Sequence, residues 1–452
     1  MERTVIVKCL ESIGNKVLLK GWVERVRSHG KLAFLDLRDM SGTIQVGAFG
    51  EELASKVAAL NVQDVVEIEG LVKAREEKYI NKNNPVGTIE LELEKVKVIS
   101  KAEEMPFDMG GKELNLELPT LLDYRSLSLR HETVRKIFVV QAALAEEFRN
   151  AAKKLKCIEV FVPTIAAGAT EGGAEVFEVD YFGHKAFMTQ SPQLYKQVMV
   201  SVFERVFTIA KAYRAEPSVT TRHLTEATQM DIEIGFIDKF EDLLDALEFV
   251  GISMIKNVSD QCEDVLKDFN VEKPLVPNKV PRLTLRGAQK IITERTGRDL
   301  SKEMDLNPED EIEICKWAHE EHKSDFVTIT HFPTKKRAFY TMPDPEDPEY
   351  SLSYDLLFRG LEILSGSQRI SDYKALVSAM EKKNVSPKSF EVYLQAFKYG
   401  MPPEGGFSFG LERLTMKLLE LANVREASLF PRDMERVDER FSVLEKEKNN
   451  KD

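Results

Sequence analysis

Cysteine is scarce in this 452-residue chain, and its four copies lie far apart. Cys9, Cys157, Cys262 and Cys315 form no CxxC pair. This spacing argues against a disulfide framework and against a cysteine-based zinc site. We therefore expect four buried free thiols.

Long apolar runs are also absent. No stretch reaches the roughly 18 apolar residues that a transmembrane helix needs. Residues 1–10 mix charged with apolar side chains, whereas a signal peptide has a continuous apolar segment. We expect a cytoplasmic protein without a membrane partner.

An excess of positive charge is missing as well, because the formal net charge is −12. Phosphate contacts need lysine and arginine, so this balance argues against nucleic-acid binding over the whole surface. Residues 1–100, however, hold 15 basic and 15 acidic side chains, and the remaining residues carry the entire negative excess. A nucleic-acid contact is therefore easier to accept on the N-terminal part.

The first hundred residues favour strands. Short alternating or apolar stretches are separated by turn signals such as Ser28-His-Gly30, which is the pattern of successive antiparallel strands. The pattern predicts strands over 17–27, 32–38, 43–46, 65–72 and 88–98, with a helix over 51–60. Five strands with a helix after the third are the plan of an OB-fold β-barrel, so we expect an OB-fold domain over 1–100.

The rest of the chain predicts a larger α+β domain. Pro106 and Gly110-Gly111 mark residues 101–118 as a hinge or linker. Blocks rich in strands then alternate with blocks rich in helices, which favours a mixed or antiparallel sheet flanked by helices. We expect this domain over 119–440, with a helix-rich insertion at about 239–325, a strand hairpin near 353–363, a closing helix over 409–422 and a frayed tail over 441–452.

Charged and small residues concentrate in three parts of this domain. They are Ala169–Glu175 with Gln190–Lys196, then Tyr213–Glu226, and finally Asp355–Arg369 with Gly405–Arg413. Arginine forks at 214, 222 and 413 suit phosphates and purine faces. Lys196 and Arg369 suit a side-chain carboxylate, and Glu171, Gln193 and Asp231 suit an ammonium group.

Two further features point to a nucleotide. Asp355 and Glu362 flank Arg359-Gly360, and a hairpin there would bring the two carboxylates opposite each other, where they suit Mg²⁺ beside phosphates. The glycine-rich run 405–410 would let the backbone approach a nucleotide closely. Each feature alone is weak, because an Arg-x-Glu is usually a surface ion pair and a paired glycine is usually a turn; their order and spacing together carry the argument.

Taken together, these elements resemble the aspartyl-tRNA synthetases, in the class II subgroup for aspartate, asparagine and lysine and of the compact archaeal and eukaryotic type. The resemblance covers nearly all of residues 3–435. The helix 131–156 with Val160-Phe-Val-Pro163 resembles motif 1, the dimer-forming element. Tyr213–Glu226 resembles motif 2, and Gly410-Leu-Glu-Arg413 resembles motif 3.

The resemblance implies ATP-dependent activation of L-aspartate and its transfer to tRNA, with Mg²⁺ and a homodimer. It implies the following roles: catalysis by Arg214, Glu216 and Arg413; aspartate binding by Glu171, Gln193, Lys196, Arg214, Asp231, Ser365 and Arg369; ATP binding by Arg214, Ala215, Glu216, Arg222, His223, Leu224, Glu362, Gly410, Leu411, Glu412 and Arg413; metal binding by Asp355, Glu362 and Ser365. In the barrel, Phe34 would stack on an anticodon base, with Arg27 and Gln45 bonding base edges; Phe34 as barrel core is the alternative.

The sequence departs from the family at a few positions. Glu404 stands where relatives usually have His, Ser408 and Phe409 replace smaller or aliphatic residues, and Ala227-Thr228 stand where relatives usually have an aromatic that stacks on adenine. We expect Phe409 to compensate for that missing aromatic. These departures concern details of the ATP pocket.

Three alternatives stay open. The first is an asparaginyl-tRNA synthetase, but its carboxamide substrate needs no pair of cations such as Lys196 and Arg369. The second is a paralogue that makes free asparagine, but such a protein lacks the barrel. The third is a non-catalytic RNA-binding relative, but it would need none of Arg214, Glu362, Arg369 and Arg413. Charging of tRNA-Asn as well as tRNA-Asp also stays open, and it would add a tRNA-dependent amidotransferase as a partner.

Overall fold

The computed structural model describes residues 1–111, 113–168, 175–217 and 220–442. The chain divides into two compact units, Met1–Leu116 and Glu117–Asp452. The expected tail over 441–452 falls mostly outside the described residues. Each unit has its own hydrophobic core.

The first unit is a closed five-stranded barrel in the order β1-β2-β3-β5-β4. Alternate residues of each strand point inward, so that Ala33, Leu35 and Leu37 of the second strand are fully buried. The expected OB-fold barrel is confirmed. Its elements are β1 (Lys16–His29), β2 (Leu32–Arg38), β3 (Thr43–Phe49), α1 (Glu51–Ala58), β4 (Val65–Ala74) and β5 (Ile89–Ser100).

The second unit is α+β, as expected. Its helices within the described residues are α2 (Leu118–Asp123), α3 (Arg125–Ser128), α4 (Glu132–Lys154), α5 (Gln193–Phe203), α6 (Phe240–Gln261), α7 (Glu263–Asp268), α8 (Leu285–Thr296), α9 (Pro308–His322), α10 (Tyr373–Lys382), α11 (Glu391–Lys398) and α12 (Leu411–Leu418). Its strands are β6 (Ile158–Glu159), β7 (Ile165–Ala166), β8 (Glu178–Tyr181), β9 (His184–Met188), β10 (Arg205–Tyr213), β11 (Glu226–Gly235), β12 (Arg282–Thr284), β13 (Phe326–Thr330), β14 (Ser353–Phe358), β15 (Leu361–Gln368) and β16 (Glu404–Gly410).

The main sheet of this unit joins eight of the described strands in the order β12-β13-β14-β15-β16-β11-β10-β6. Its inner pairs are antiparallel and its two edge pairs are parallel. Strands β7, β9 and β8 form a separate three-stranded sheet, in that order. The mixed sheet predicted from the sequence is therefore confirmed.

One face of the main sheet is apolar. Met230 and Ile232 of β11 and Phe407 and Phe409 of β16 point to this face and are buried in the largest core cluster of the molecule. The apolar stripes of α4 and α6 complete that core. Burial of a large aliphatic or aromatic side chain contributes roughly 1.5–3 kcal/mol, so this face holds the sheet rigid under whatever lies on the other side.

The opposite face of the same strands is polar. Asp231 pairs with Ser408 and Glu233 pairs with Gly406, and alternation places all four on this second face. The glycine-rich run 405–410 thus lies within the central strand β16. A Cβ at Gly406 would lie 2.1 Å from the Ile232 carbonyl oxygen and 2.2 Å from Glu233 Oε2, so the glycine makes room for a buried carboxylate.

All four cysteines are free and buried, as expected. Burial raises the pKa of the Cys157 thiol to about 12, which keeps it protonated and unreactive. Among the described residues, no helix is both long enough and apolar enough to cross a bilayer.

Candidate active site

A cavity of about 470 Å³ opens on the polar face of the main sheet. Its size is within the usual range of ligand pockets. Strands β10, β11, β15 and β16, helix α5 and the start of α12 form its walls. The predicted residues that line it are Gln193, Lys196, Arg214, Glu216, Arg222, His223, Leu224, Asp231, Glu362, Ser365, Arg369, Gly410, Glu412 and Arg413.

Lys196 lies at the floor of this cavity and is almost entirely buried, with 1% of its side chain exposed. Its Nζ is 2.7 Å from Asp231 Oδ1 and 3.1 Å from Glu233 Oε2. Ser408 Oγ donates to the other oxygen of Asp231 at 3.0 Å. Burial raises the pKa of Asp231, and Lys196 opposes that effect. The cation is thus fixed in place by two carboxylates.

Arg369 is the second buried cation of the floor. Its Nε donates to Glu233 Oε1 at 2.7 Å, its Nη1 to Ser367 Oγ at 2.5 Å and its Nη2 to the Gly406 carbonyl at 3.0 Å. Burial disfavours the charged form, but the Glu233 carboxylate outweighs burial and raises the pKa of Arg369. The guanidinium therefore stays charged inside the protein.

The two cations still have donors to offer. Lys196 has three N–H groups, and Asp231 and Glu233 use two of them. Arg369 has five N–H groups, and the contacts with the described residues leave one on Nη1 unused. A ligand that offers one acceptor oxygen to each cation, such as a carboxylate, would satisfy both remaining donors.

A second group of cations lies toward the other end of the cavity. Arg214 follows β10 and is 3.7 Å from Glu216 Oε1. Arg222 Nη2 bonds both carboxylate oxygens of Glu311 at 2.9 and 2.6 Å. Arg413 on α12 donates from Nε to the Arg222 carbonyl at 3.1 Å. Three arginines thus line the wall, and guanidinium groups are the side chains best suited to bind phosphate oxygens.

His223 lies among these arginines, and its Nε2 is 4.0 Å from Glu216 Oε2. Burial lowers the pKa of His223, and Arg413 lowers it further. The imidazole is therefore neutral at pH 7, so its ring can bond a ligand without adding charge.

The hairpin predicted at Arg359-Gly360 is present, with φ of 47° and 80° at these two residues. The predicted facing of its carboxylates is wrong, however. Asp355 pairs with Ser365, while Glu362 pairs with Leu357, because the ladder shifts register between Leu356 and Leu357. Asp355 and Glu362 are neighbours on the hairpin without being cross-strand partners.

The two carboxylates nevertheless influence each other. Burial in the pocket wall, and after it the charge of Asp355, raise the pKa of Glu362 to about 7. Asp355 Oδ2 accepts from Arg337 at 2.8 Å, but its buried Oδ1 has no hydrogen-bond partner among the described residues. An unpartnered buried carboxylate oxygen beside a second acid is a fit for a hard cation such as Mg²⁺.

Some predicted residues lie elsewhere. The Leu411 side chain is buried in the core, and Ala215 is absent from the lining residues, so we do not place either at the nucleotide. Phe409 is fully buried on the apolar face against Phe148, so it does not offer a ring to adenine. Glu412 does line the cavity, but its carboxylate accepts from the Thr228 backbone N–H at 2.9 Å and so links α12 to β11. Glu171 falls outside the described residues.

Three charged residues of the site, Glu233, Glu311 and Arg337, are not predicted from the sequence. The alternation Asp231-Ile232-Glu233 was a usable signal, because it places both acids on one face of a strand. Glu311 lies within the predicted helix-rich insertion and Arg337 within a basic run, so no local pattern separates either from a solvated charge.

In the barrel unit, the three predicted nucleic-acid residues share one outer surface. Phe34 is directly opposite Arg27 across β1 and β2, and Gln45 is opposite Asp36 across β2 and β3. Arg27 Nη2 is 3.0 Å from Asp36 Oδ1 and 3.5 Å from Gln45 Oε1. Phe34 is only partly buried, edge-on to Phe49, and lies outside the barrel core. A surface with aromatic rings among polar groups is suited to unstacked bases.

Comparison with known proteins agrees with this geometry. Residues 117–434 match the model of class II tRNA synthetases (D, K and N), and residues 17–99 match that of the OB-fold nucleic acid binding domain. The chain is 39% identical to an aspartate–tRNA(Asp/Asn) ligase of Thermus thermophilus, over 96% of this chain and 99% of the relative. It is 38% identical to an aspartate–tRNA(Asp) ligase of Pyrococcus abyssi, over 94% and 96%.

Solved structures give the same result. The crystal structure of asparaginyl-tRNA synthetase from Pyrococcus horikoshii with asparaginyl-adenylate has a TM-score of 0.87 and 30% identity, over 97% of this chain and 99% of that chain. Both the barrel and the catalytic unit are thus shared with enzymes that join an amino acid to tRNA. The chain belongs to the class II tRNA synthetases of the aspartate, lysine and asparagine group.

Proposed function

We propose that this enzyme activates L-aspartate with ATP and transfers it to tRNA-Asp. The observation that carries the proposal is the floor of the cavity, where Lys196 and Arg369 are buried cations with one free donor each. The two oxygens of the aspartate side chain match these donors. A carboxamide would place an NH₂ group against one of them, which disfavours asparagine as the substrate.

The phosphate end of the cavity supports a role for ATP. Arg214 holds the α-phosphate and the aspartate carboxylate, while Arg222, His223 and Arg413 hold the outer phosphates and the adenine side. The aspartate α-carboxylate attacks the α-phosphorus, the bond to the bridging oxygen breaks, and pyrophosphate leaves with the electron pair. Arg214 stabilises the charge that develops on the α-phosphate.

The second step needs no protein nucleophile. A ribose hydroxyl of the terminal adenosine of tRNA attacks the carbonyl carbon of aspartyl-adenylate and loses its proton. The bond from that carbon to the phosphate oxygen breaks, and AMP leaves with the electron pair. Arg214, assigned to the α-phosphate in the first step, holds the same phosphate as AMP leaves. Glu216 is 3.7 Å from Arg214 and orients that guanidinium.

Asp355 and Glu362 are the residues that would hold Mg²⁺. Ser365 is the cross-strand partner of Asp355 on the same hairpin. No group of three or more His, Cys, Asp or Glu suited to a metal is found among the described residues, so substrate phosphate oxygens would complete the coordination. Bound Mg²⁺ would neutralise phosphate charge and orient the leaving group.

Magnesium dependence should vary with pH. Glu362 must lose its proton to bind a metal, and its pKa is raised to about 7. We expect the Mg²⁺ concentration for half-maximal activation to rise by up to about tenfold for each pH unit below 7 and to level off above it. Titration of His223 should not contribute to the change near pH 7, because the pKa of His223 is lowered from 6.5. The measurement is ATP–pyrophosphate exchange against Mg²⁺ at several pH values.

Glu362→Gln is the matched control, because it removes the titrating group while keeping the shape. Its Mg²⁺ requirement should be higher but should no longer change steeply near pH 7. A wild-type requirement that stays constant between pH 6 and pH 8 would remove Glu362 from the metal site.

The barrel supports recognition of the anticodon by Phe34, Arg27 and Gln45. Phe34→Ala should raise the dissociation constant of tRNA about 5- to 150-fold, because one base stack contributes roughly 1–3 kcal/mol. Aspartate-dependent pyrophosphate exchange, which uses no tRNA, should stay unchanged. Filter binding of tRNA-Asp measures the first quantity. Phe34→Tyr keeps the ring and should bind normally, and equal binding by the alanine variant would contradict the stacking role.

We further propose a homodimer that acts in the cytoplasm. Exposed apolar side chains support the dimer, because Val139 on α4, Ile158 on edge strand β6 and Phe161 just after it are 56%, 47% and 89% exposed. If tRNA-Asn is charged as well, a tRNA-dependent amidotransferase would be needed to convert the product.

ATP–pyrophosphate exchange with aspartate and with asparagine tests the proposed activation step. Exchange with aspartate alone supports it, and exchange with asparagine alone would favour an asparaginyl-tRNA synthetase. Exchange without any transfer to tRNA would favour the paralogue that makes free asparagine. No exchange with either would favour a non-catalytic relative.

A further inference from the structure

Glu404, at the start of β16, is a third acid beside the cavity floor. It is fully buried. Its Oε1 accepts from Gln197 Nε2 at 2.8 Å, and its Oε2 has no hydrogen-bond partner among the described residues. An ionised carboxylate buried in this way normally receives several hydrogen bonds, so a single amide donor does not match a charged Glu404.

Glu404 is surrounded by charged and titratable groups on every packed element. Lys196 comes from α5, Glu233 from β11, Arg369 from the end of β15 and Tyr393 from α11. Glu404 pairs with Gly235 and Glu233 pairs with Gly406, so the two acids are diagonal neighbours on one face of adjacent strands.

Neither floor cation bonds to the Glu404 carboxyl group. Lys196 bonds to Asp231 and Glu233, and Arg369 bonds to Glu233 through its side chain. The Arg369 backbone N–H donates to the Glu404 carbonyl, which leaves the carboxyl group without a cation. Burial and the neighbouring Glu233 raise the pKa of Glu404 well above its usual value.

Charge balance then decides what the floor accepts. Two cations face the two carboxylates Asp231 and Glu233, so these four groups sum to zero. A third ionised carboxylate would make the floor net negative, and an incoming carboxylate would be repelled at short range in a low-dielectric site. An uncharged Glu404 leaves the floor neutral and the two free donors attractive.

We propose that Glu404 is an uncharged, specificity-determining residue that keeps the floor neutral for an anionic substrate and positions Gln193 through Gln197. The chain of contacts is continuous: Gln193 Nε2 donates to Gln197 Oε1 at 2.9 Å, and Gln193 Oε1 is 3.4 Å from Arg369 Nη2. This role rests on the proposed aspartate substrate, because only an anionic side chain needs a floor without excess negative charge.

Infrared difference spectroscopy of the full-length enzyme tests the charge state without any substrate. Wild type minus Glu404→Gln should show the C=O stretching band of a protonated carboxylic acid at about pH 7.5, where an ordinary glutamate with a pKa near 4.3 is ionised. Carboxylate bands in that difference would overturn the inference, and so would failure of this neutral, isosteric variant to fold.

Kinetics test the positioning role. Glu404→Leu removes the acceptor for Gln197 and should raise the KM for aspartate about 5- to 150-fold, the effect of leaving a buried polar group unpaired, with less effect on kcat. Glu404→Gln should rescue most of that loss and keep the preference for aspartate over asparagine, and the KM for ATP should stay normal in both. If Glu404→Gln loses as much as Glu404→Leu, the inference fails. Absence of aspartate exchange in the wild type would instead refute the proposed function, while the infrared result would still report on Glu404.

Discussion

Lys196→Leu is expected to reduce aspartate-dependent pyrophosphate exchange by at least about 10³-fold. The lysine is buried between Asp231 and Glu233, and its remaining N–H is one of two donors proposed for the aspartate side chain. Its removal leaves Asp231 without a cation and Glu233 with Arg369 alone, and the repulsion between the two carboxylates adds to the lost contact. The same imbalance should lower the free energy of unfolding by about 3–5 kcal/mol.

Lys211→Leu is the matched control for this variant. Lys211 is on strand β10 of the main sheet. Its side chain is 47% exposed and pairs with Glu226. We expect its removal to change exchange by less than about twofold, as for most exposed ion pairs. ATP binding and dimerisation should survive in the Lys196 variant, which separates loss of the substrate site from unfolding. Near-normal exchange in that variant would refute the assigned role.

Arg214→Ala should lower kcat for adenylate formation by about 10²–10³-fold. The expected loss is mainly in kcat, because the guanidinium stabilises charge that develops on the α-phosphate during the reaction. Single-turnover formation of aspartyl-adenylate measures this step directly. Arg214→Lys should recover only part of the rate, because an ammonium group cannot bridge two oxygens as a planar guanidinium does.

Arg205→Ala provides the comparison for Arg214. Arg205 begins the same strand that ends just before Arg214, and its partner is Glu204 at 3.6 Å. Its removal should leave adenylate formation unchanged. If Arg214→Ala altered only the KM for ATP, the arginine would contribute to binding of the ground state and not to the transition state.

Much of the fold could be predicted because each unit has a clear hydrophobic period. The pattern of Leu32–Arg38 predicts a strand, and the structure forms that strand with Ala33, Leu35 and Leu37 buried. In helix 132–154, Val140, Leu144, Phe148 and Ala151 fall on one stripe and pack on the sheet. Local periodicity is enough here, because burial of one face is what these segments contribute.

The strand β16 shows where local reasoning stops. Its glycines are expected from the sequence to let the backbone approach a nucleotide closely, since glycine has no side chain. At Gly406 the group that approaches is a protein carboxylate, Glu233, from the neighbouring strand. Which strands are neighbours depends on sheet order, and no pattern within residues 404–410 specifies that β16 lies between β11 and β15.

The charges of the site were only partly predictable for the same reason. Lys196 and Arg369 could be singled out, but their pairing with Asp231 and Glu233 joins residues up to 136 positions apart. Arg222 was expected at a phosphate, and its partner Glu311 comes from α9, 89 positions further along. Types of residue follow from the sequence, whereas the balance of charge in a pocket follows from tertiary contacts.

Aminoacylation with radiolabelled aspartate, and separately with asparagine, against transcripts of tRNA-Asp and tRNA-Asn tests the central claim most directly. The proposed function predicts aspartate on tRNA-Asp and no asparagine on either transcript. Aspartate on both transcripts would keep the amino-acid assignment and add the need for an amidotransferase. Asparagine on tRNA-Asn, with no aspartate on tRNA-Asp, would contradict the assignment of Lys196 and Arg369 to a carboxylate substrate.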